Sequence, residues 1–314
     1  MEKILVTGGA GYIGSVLIPE LLKKGSHVTL VDKFIFKQKF VIDPNFKNRI
    51  KIIKDDVRNH ELMKKILKDN FDYIIPLAAL VGAPLCDKFK KEAKQINLDS
   101  IKFLIDNCDI NSKIILPTTN SGYGIGLNGI ACDETSPLNP ISLYGTTKVD
   151  SEKYLVQRGN YISLRLATVF GMSPRMRIDL LVNNFVNEAI TKKYIEIFEG
   201  KFKRNYVHIN DVASVFIFSM ENFNIMKNNI FNFGLENVNL TKIELANKIK
   251  EYVPDFKYVL NEFTKDPDKR DYIISNQKIL KTGYRFKFSL EDGIKQLIDG
   301  LKDLSKDNLT NIID

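Results

Sequence analysis

The stretch Ile4-Leu5-Val6-Thr7-Gly8-Gly9-Ala10-Gly11-Tyr12-Ile13-Gly14-Ser15 constrains this chain more than any other. A short apolar run enters a glycine cluster. It leaves as a segment with apolar residues at Ile13, Val16, Leu17, Leu21 and Leu22, the spacing of one helix face. That order reads as buried strand, tight turn and helix start. Gly8 supplies a backbone angle closed to residues with a side chain, Gly11 leaves room for a pyrophosphate to approach the main chain, and Gly14 lets the helix pack close against the strand. The helix start, with Tyr12 and Ile13 in its turn, offers unpaired N–H groups and a partial positive charge to the phosphates. A second apolar run over residues 28–31 ends at Asp32, about 20 residues on, where a carboxylate accepts hydrogen bonds from an adenosine ribose. The same acid repels a 2′-phosphate, so the turn is expected to take NAD rather than NADP.

With 314 residues, 44% of them hydrophobic, the chain can bury one large core with an attached lobe, or two compact domains. No run of 18 apolar residues occurs, and the sequence goes straight into the first strand without a signal peptide. Membrane insertion and export are therefore not indicated, and a cytoplasmic location is expected. Cys86, Cys108 and Cys132 are odd in number and lack metal-ligand spacing, which points to reduced thiols and no metal. The formal charge of +8 raises the question of nucleic acid. The lysines are dispersed among acids, as in 88–94 and 242–250, which implies a solvated surface that steers anionic substrates, with no nucleic-acid partner.

Short apolar runs alternate with helical patterns through the first half. After the basic stretch 33–49 come a strand over 50–53, a helix over 61–67, a strand over 73–78, a helix around 91–107 and a strand over 113–118. This rhythm, free of hairpin signals, predicts an α/β fold: a Rossmann-type doubly wound parallel sheet covered by helices on both faces. The expected division is a cofactor-binding domain over 1–170, with a return strand near 205–236, and a smaller C-terminal α/β substrate lobe over 171–314. Ligands in such folds lie at the carboxyl ends of strands, which is where Asp56 and Val57, Leu77, Ala78 and Ala79, and Thr118 and Thr119 fall. Asp56 with Val57 is a candidate for the adenine edge, with a helix cap as the alternative role for the acid.

Tyr144-Gly-Thr-Thr-Lys148 opens a further helix pattern, so the phenol and the amine project from one face. A phenol beside a lysine is a plausible base. To work near neutral pH its pKa must fall from about 10 by about 3, equivalent to about 4 kcal/mol. Lys148 and a positive nicotinamide ring are the charges expected to supply that, and the lysine is also placed to bind the nicotinamide ribose.

The ordered set of residues 7–14, Asp32, Asp55-Asp56-Val57, Leu77-Ala78-Ala79, Thr118-Thr119-Asn120-Ser121-Gly122-Tyr123-Gly124 and Tyr144/Lys148 resembles the extended short-chain dehydrogenase/reductases. More narrowly, it is similar to the NAD-dependent nucleotide-sugar epimerases and dehydratases. The likeness runs from Lys3 to about Gly300. It implies a catalytic trio of Thr119, Tyr144 and Lys148, in which the Thr119 hydroxyl bonds the reacting sugar oxygen while Tyr144 takes its proton and the hydride passes to nicotinamide. It also implies a homodimer paired through helices near 95–107 and 144–157. Proteins that use the same scaffold only as NAD-dependent sensors usually lose the Tyr or the Lys, and both are present here.

Departures from the family pattern narrow the chemistry. Sugar-nucleotide 4,6-dehydratases carry an acid pair directly after the catalytic Thr, where this chain has Asn120 and Ser121. Neither side chain moves protons at neutral pH. The 3,5-epimerases place a cysteine where Ser121 stands, and the decarboxylating branch needs an acid nearby. Oxidation or reduction at carbon 4, with or without epimerisation there, is what remains.

By the same resemblance the second half binds a nucleotide-diphosphate sugar. Residues 164–171 resemble the family's sixth strand and the turn into the substrate lobe, with Thr168 in place of a phosphate-holding Asn. Arg204, in the return segment 204–212, and Arg270, in 268–272, match the family's diphosphate arginines, whose planar forks suit phosphate oxygens. Arg175 is expected near the substrate mouth with Arg177, and His208 is expected to support local structure. Residues 242–250 and 289–301 read as amphipathic helices, and the polar tail after Lys302 is expected to fray. The Thr-Asn-Ser-Gly-Tyr-Gly motif together with 165–177 is most similar to the heptose-modifying enzymes of bacterial surface-polysaccharide pathways, the GDP-heptose 4-dehydrogenases. That implies a 4-keto nucleotide sugar as product and a second substrate to reoxidise NADH. UDP-hexose 4-epimerisation through a transient 4-keto sugar is the alternative that the same residues serve.

Overall fold

The computed structural model describes residues 1–36, 38, 40–127, 129–261 and 270–302. In chain order, β1 (Lys3–Thr7), α1 (Gly14–Lys23), β2 (His27–Asp32), β3 (Ile50–Lys54), α2 (His60–Leu67), β4 (Tyr73–Pro76), α3 (Ala83–Lys88), α4 (Lys90–Lys94), α5 (Ser100–Asn107), β5 (Lys113–Thr119), β6 (Ala131–Cys132), α6 (Leu143–Val156) and β7 (Tyr161–Leu166) build the first half. There follow β8 (Thr168–Phe170), α7 (Leu181–Thr191), β9 (Tyr194–Phe198), β10 (Lys203–His208), α8 (Ile209–Glu221), α9 (Phe223–Met226), β11 (Asn229–Phe233), β12 (Asn239–Thr241), α10 (Lys242–Lys250), β13 (Lys257–Asn261), β14 (Ile273–Ile274), α11 (Gln277–Lys281) and α12 (Leu290–Leu301).

Seven strands form one sheet in the order β11-β7-β5-β4-β1-β2-β3. Every pairing in it is parallel. Alternation along the strands explains why both faces are covered. Ile4, Val6, Leu30, Ile75, Ile115 and Leu164 point into a core shared with α1 and α8, whereas Leu5, Val31, Ile74, Ile114 and Leu116 point into one shared with α2 and α5. Strands buried on both sides read as continuous apolar runs, and such sheets occur with helices on each face. A further core joins α7, α10 and α12 through Val182, Phe185, Leu245, Ile249, Ile294 and Leu297.

The chain order reverses between β1 and β4, which both start in the middle of the sheet, and crevices at such switch points take ligands in doubly wound folds. Gly8 marks the place: its φ is +68°, and a Cβ there would lie 2.5 Å from the Ala78 backbone. Leu77 N–H still donates to the Thr7 carbonyl at 2.8 Å, although the strand expected to run to residue 78 ends at Pro76.

Two expectations need correction. The helix around 91–107 is three pieces: α4, a π-helical turn over Gln95–Asp99, and α5. The widened turn carries buried Asn97, whose amide accepts from Leu80 N–H at 2.8 Å and donates to Leu80 C=O at 2.9 Å. The segment 164–171 splits at Ala167, so that β7 belongs to the large sheet and β8 to the three-stranded sheet β12-β10-β8. The expected helices over 242–250 and 289–301 are α10 and α12, each opened by a capping box at Thr241 and Ser289. Asp268, Lys269 and the tail beyond Lys302 lie outside the described residues.

Candidate functional site

One cavity opens over the carboxyl ends of β1, β2, β4 and β5. Its walls include Gly8, Gly11, Tyr12, Ile13 and Gly14 of the glycine turn, Asp32, Asp56 and Val57, Leu77, Ala78 and Ala79, then Thr119, Ser121, Tyr144, Lys148, Thr168, Arg175 and Arg270. The dinucleotide turn and the Thr/Tyr/Lys group, more than 100 residues apart in sequence, therefore share one space.

The turn fits a dinucleotide. A Cβ on Gly11 would meet the Gly8 carbonyl at 3.1 Å, so the main chain is left bare towards the cavity. Close helix–strand packing belongs to Gly9, where a Cβ would strike Ile18 and Leu30 at 2.6 Å. At Gly14 the Cβ would instead meet the Gly9 backbone at 2.2 Å or more, a constraint of the turn itself. Asp32 is buried, and its carboxylate accepts from Ala10 N–H at 3.0 Å and Phe34 N–H at 2.7 Å. Burial pushes the Asp32 carboxyl up, while those two N–H groups pull it down. Its orientation is thereby fixed at the end of β2, where an adenosine ribose is expected. Tyr12 donates to the Gly171 carbonyl at 2.6 Å and accepts from Asn183 Nδ2 at 3.1 Å, tying the turn to the second half of the chain.

Asp56 differs from expectation. Arg58 donates to it through Nε at 2.9 Å and Nη2 at 2.6 Å, and Lys33 lies at 3.0 Å. Despite the opposing effect of burial, these cations hold the carboxyl well below the usual range. The acid faces two cations as well as the cavity because Lys33 and Arg58 follow β2 and β3 on adjacent strands.

At the other end, Ser142 caps α6, and Tyr144 and Lys148 follow one turn apart. The Thr119 hydroxyl, on the same cavity wall as Tyr144, lies 2.8 Å from the Ser121 hydroxyl. Arg270 reaches the same hydroxyl through Nη1. Without cofactor, burial pushes Tyr144 up to about 12, and the nearby cations that pull it down are Arg177 and Arg270. Lys148, also buried, is pushed down to about 8 by desolvation. The helical spacing of the pair leaves both groups enclosed, which destabilises both of their charged forms.

Three expected contacts fall elsewhere. Asn120 does not line the cavity; it is fully buried, and neither amide atom has a hydrogen-bond partner. Arg204 is buried and absent from the cavity wall, its Nη1 donating to the Lys203 carbonyl at 2.9 Å. Arg175 does line the cavity, but at the β2 end: its guanidinium stands 4.6 Å from the Phe36 ring centroid and acts on Asp32. Arg177, given no definite role above, lines the catalytic end instead. His208 caps α8 and bonds Gln296 at 2.9 Å, a structural position. Sequence reasoning also passed over Glu152 and Arg165, a buried ion pair behind the site. A charged residue one turn beyond Lys148 was the available signal.

Among the described residues no helix is long and apolar enough to cross a membrane, and no cluster of metal-ligating side chains occurs.

Residues 4–234 match the NAD dependent epimerase/dehydratase family. UDP-glucuronic acid decarboxylase 1 of Arabidopsis thaliana is 27% identical, over 96% of this chain and 70% of its own. UDP-glucose 4-epimerase of Lactobacillus helveticus is 30% identical, over 73% of this chain and 76% of its own. The crystal structure of UDP-glucose 4-epimerase from Thermotoga maritima, solved with UDP-glucose, superposes with a TM-score of 0.82 at 26% identity, covering 96% of this chain and 98% of that one. With the dinucleotide turn and the Thr/Tyr/Lys group on one cavity, the chain belongs to the NAD-dependent epimerase/dehydratase family of extended short-chain dehydrogenases/reductases, enzymes that act on nucleotide sugars.

Proposed function

We propose that this protein oxidises the carbon-4 hydroxyl of a nucleotide-linked sugar to a 4-keto sugar, with GDP-heptose as the substrate favoured by the resemblance of the fifth-strand motif. The observation that carries the reading is that Thr119, Tyr144 and Lys148 share the wall of the cavity that also holds the glycine turn. Thr119 positions the sugar hydroxyl, Tyr144 receives its proton, and Lys148 holds the nicotinamide ribose and stabilises phenolate. Bound NAD supplies the hydride acceptor. Arg270 at Ser121 is placed for the substrate's anionic portion, whereas the position of Arg204 gives its assigned diphosphate contact no support.

The described carboxylates on the cavity wall are Asp32, at the end of β2, and Asp55 and Asp56, after β3. None stands beside Thr119, which supports simple oxidation over the proton traffic of dehydration. Net oxidation requires a second substrate to take the hydride from NADH. The alternative is UDP-hexose 4-epimerisation, favoured by the epimerase relatives, in which the keto sugar turns over and recovers the hydride. Two copies would pair through helices near 95–107 and 144–157; light scattering that shows only monomer removes that assembly.

Incubation with GDP-heptose, UDP-glucose, UDP-N-acetylglucosamine and UDP-glucuronate, followed by nicotinamide absorbance and product mass, separates these outcomes. NADH accumulation with loss of two hydrogens from the sugar is the expected result for GDP-heptose. An isomer of unchanged mass without net NADH establishes epimerisation. Tyr144→Phe should lower turnover by about 10²-fold or more with the cofactor still bound; undiminished turnover in that variant overturns the role given to Tyr144, whereas a parent protein that binds the cofactor and turns over none of these sugars is a binding protein.

A further inference from the structure

Behind the catalytic wall lies a buried network that the proposed chemistry does not use. Tyr144, Lys148 and Glu152 follow each other at four-residue steps along α6, on one helix face. Tyr144 and Lys148 line the cavity; Glu152 does not, and its side chain is 3% exposed. Its carboxylate accepts from Arg165 Nη2 at 2.6 Å and Nε at 3.1 Å, from Ser163 Oγ at 2.7 Å and from Thr118 Oγ1 at 3.0 Å. Arg165 goes on to donate to the Tyr123 hydroxyl at 2.8 Å, and Tyr123 lies 2.7 Å from Asn232 Oδ1 on β11. One carboxylate thus joins α6 to β5 and β7. Thr118 directly precedes Thr119, so the tie ends one residue from the hydroxyl that shares the cavity wall with Tyr144.

We infer that Glu152 is a positioning residue of the cofactor and hydride-transfer site: held by Arg165, Ser163 and Thr118, it fixes the Tyr144/Lys148 helix against the Thr119 strand end and keeps Lys148 cationic. This rests on the reading of Lys148 as the nicotinamide-ribose ligand. The groups facing Lys148 are few. The Cys86 thiol on α3 acts on it, pushed up by burial to about 11 and so neutral near pH 7. The turn over Gln95–Asp99 contributes neutral Asn97, which bonds Thr147. From β7 comes Arg165, which pairs with Glu152 but is not among the charges acting on the amine, and Arg177 and Arg270 face Tyr144. Glu152 is the carboxylate that acts on the amine, opposing the desolvation that favours its neutral form.

Affinity for NADH as a function of pH, read by nicotinamide fluorescence on the whole protein, tests this without a sugar substrate. Protonated Lys148 donates to ribose hydroxyls, so affinity should fall as pH rises through its titration. In Glu152→Gln the fall should move to lower pH by about half a pH unit, the order of magnitude for water-screened unit charges one helical turn, roughly 6 Å, apart. The single variant leaves Arg165 buried without its partner, which can prevent folding. Glu152→Gln with Arg165→Met removes both charges, keeps an oxygen for Thr118 and Ser163, and should shift the fall in the same direction. A folded variant of either kind whose NADH affinity falls at the parent pH overturns the inference. Lys148→Met identifies the other failure: if that variant keeps the parent pH dependence, the cofactor role of Lys148 is wrong, whatever Glu152 does.

Discussion

Titrating the Tyr144 phenol with and without oxidised cofactor tests the proton-transfer assignment most directly. Burial pushes this phenol up to about 12. A group titrating about five pH units above neutrality is ionised in roughly one molecule in 10⁵ at pH 7, and charging it takes about 7 kcal/mol. In that state it is an ineffective base. Arg177 and Arg270 already pull it down in the cofactor-free protein, so the remaining fall must come with NAD. A cationic nicotinamide ring within about 4–6 Å favours the phenolate and lowers such a group by about 1–3 pH units, which the neutral reduced ring does not do. The protein has 12 tyrosines, so phenolate absorbance must be read as the difference between the parent and Tyr144→Phe. The expected midpoint is close to 12 without cofactor, about 9–11 with NAD⁺ and again high with NADH. Sugar oxidation should then accelerate about tenfold per pH unit between about 7 and 9, because rate follows the phenolate fraction. A midpoint below about 9 in the cofactor-free protein, well short of the burial-raised value, refutes the reasoning. Equal midpoints with NAD⁺ and NADH refute it as well.

Two further outcomes follow from the turn and the acid cluster. Gly8→Ala places a methyl 2.5 Å from the Ala78 backbone at a φ of +68°; strain of about 1–3 kcal/mol is expected, with a lowered Tm and weakened NADH binding by fluorescence, and parent values for both exclude the close approach. Asp56, its folded pKa depressed by Arg58 and Lys33 despite burial, stabilises the fold fully above about pH 4, and the contribution disappears as pH falls through the folded value. Asp56→Asn should therefore lose about 1–3 kcal/mol at pH 7 and progressively less on acidification; chemical denaturation showing the same deficit at neutral and strongly acid pH contradicts that.

The sheet was legible because its determinants are local. Apolar runs such as Ile4-Leu5-Val6 and Ile114-Ile115-Leu116 announce strands buried on both faces, and the Gly8 and Asp32 positions follow from their places at strand ends. The break of 91–107 into three helical pieces was not legible. A π turn preserves the apolar spacing of its neighbours, and what distinguishes it is Asn97 meeting Leu80, a contact between segments with no sequence signature. The return segment around Arg204 can be expected from pattern, but the direction of a guanidinium on that strand, here donating to the Lys203 carbonyl, depends on packing.

Charge states were the least legible because they depend on enclosure. A tyrosine and a lysine one helical turn apart suggest an amine that acidifies a phenol, and the spacing holds. Spacing carries no information on how much water remains around the pair. In the folded chain Lys148 is buried and Tyr144 partly buried, so the phenol rises and the amine falls, each moving towards its neutral form. A pair in that condition can be made reactive only by charges brought to it. Glu152 is positioned behind the amine to favour its cation, and Arg177 and Arg270 are positioned to favour phenolate. NAD⁺ adds the last positive charge when it binds in the shared cavity. The arrangement consequently couples base strength to cofactor redox state. On the proposed assignment the oxidised ring would favour phenolate, the form that takes up the sugar's proton, and the neutral reduced ring would leave Tyr144 protonated. Whether the hydride then returns to the sugar or passes to a second substrate, the same change in ring charge readies the phenol to give that proton back.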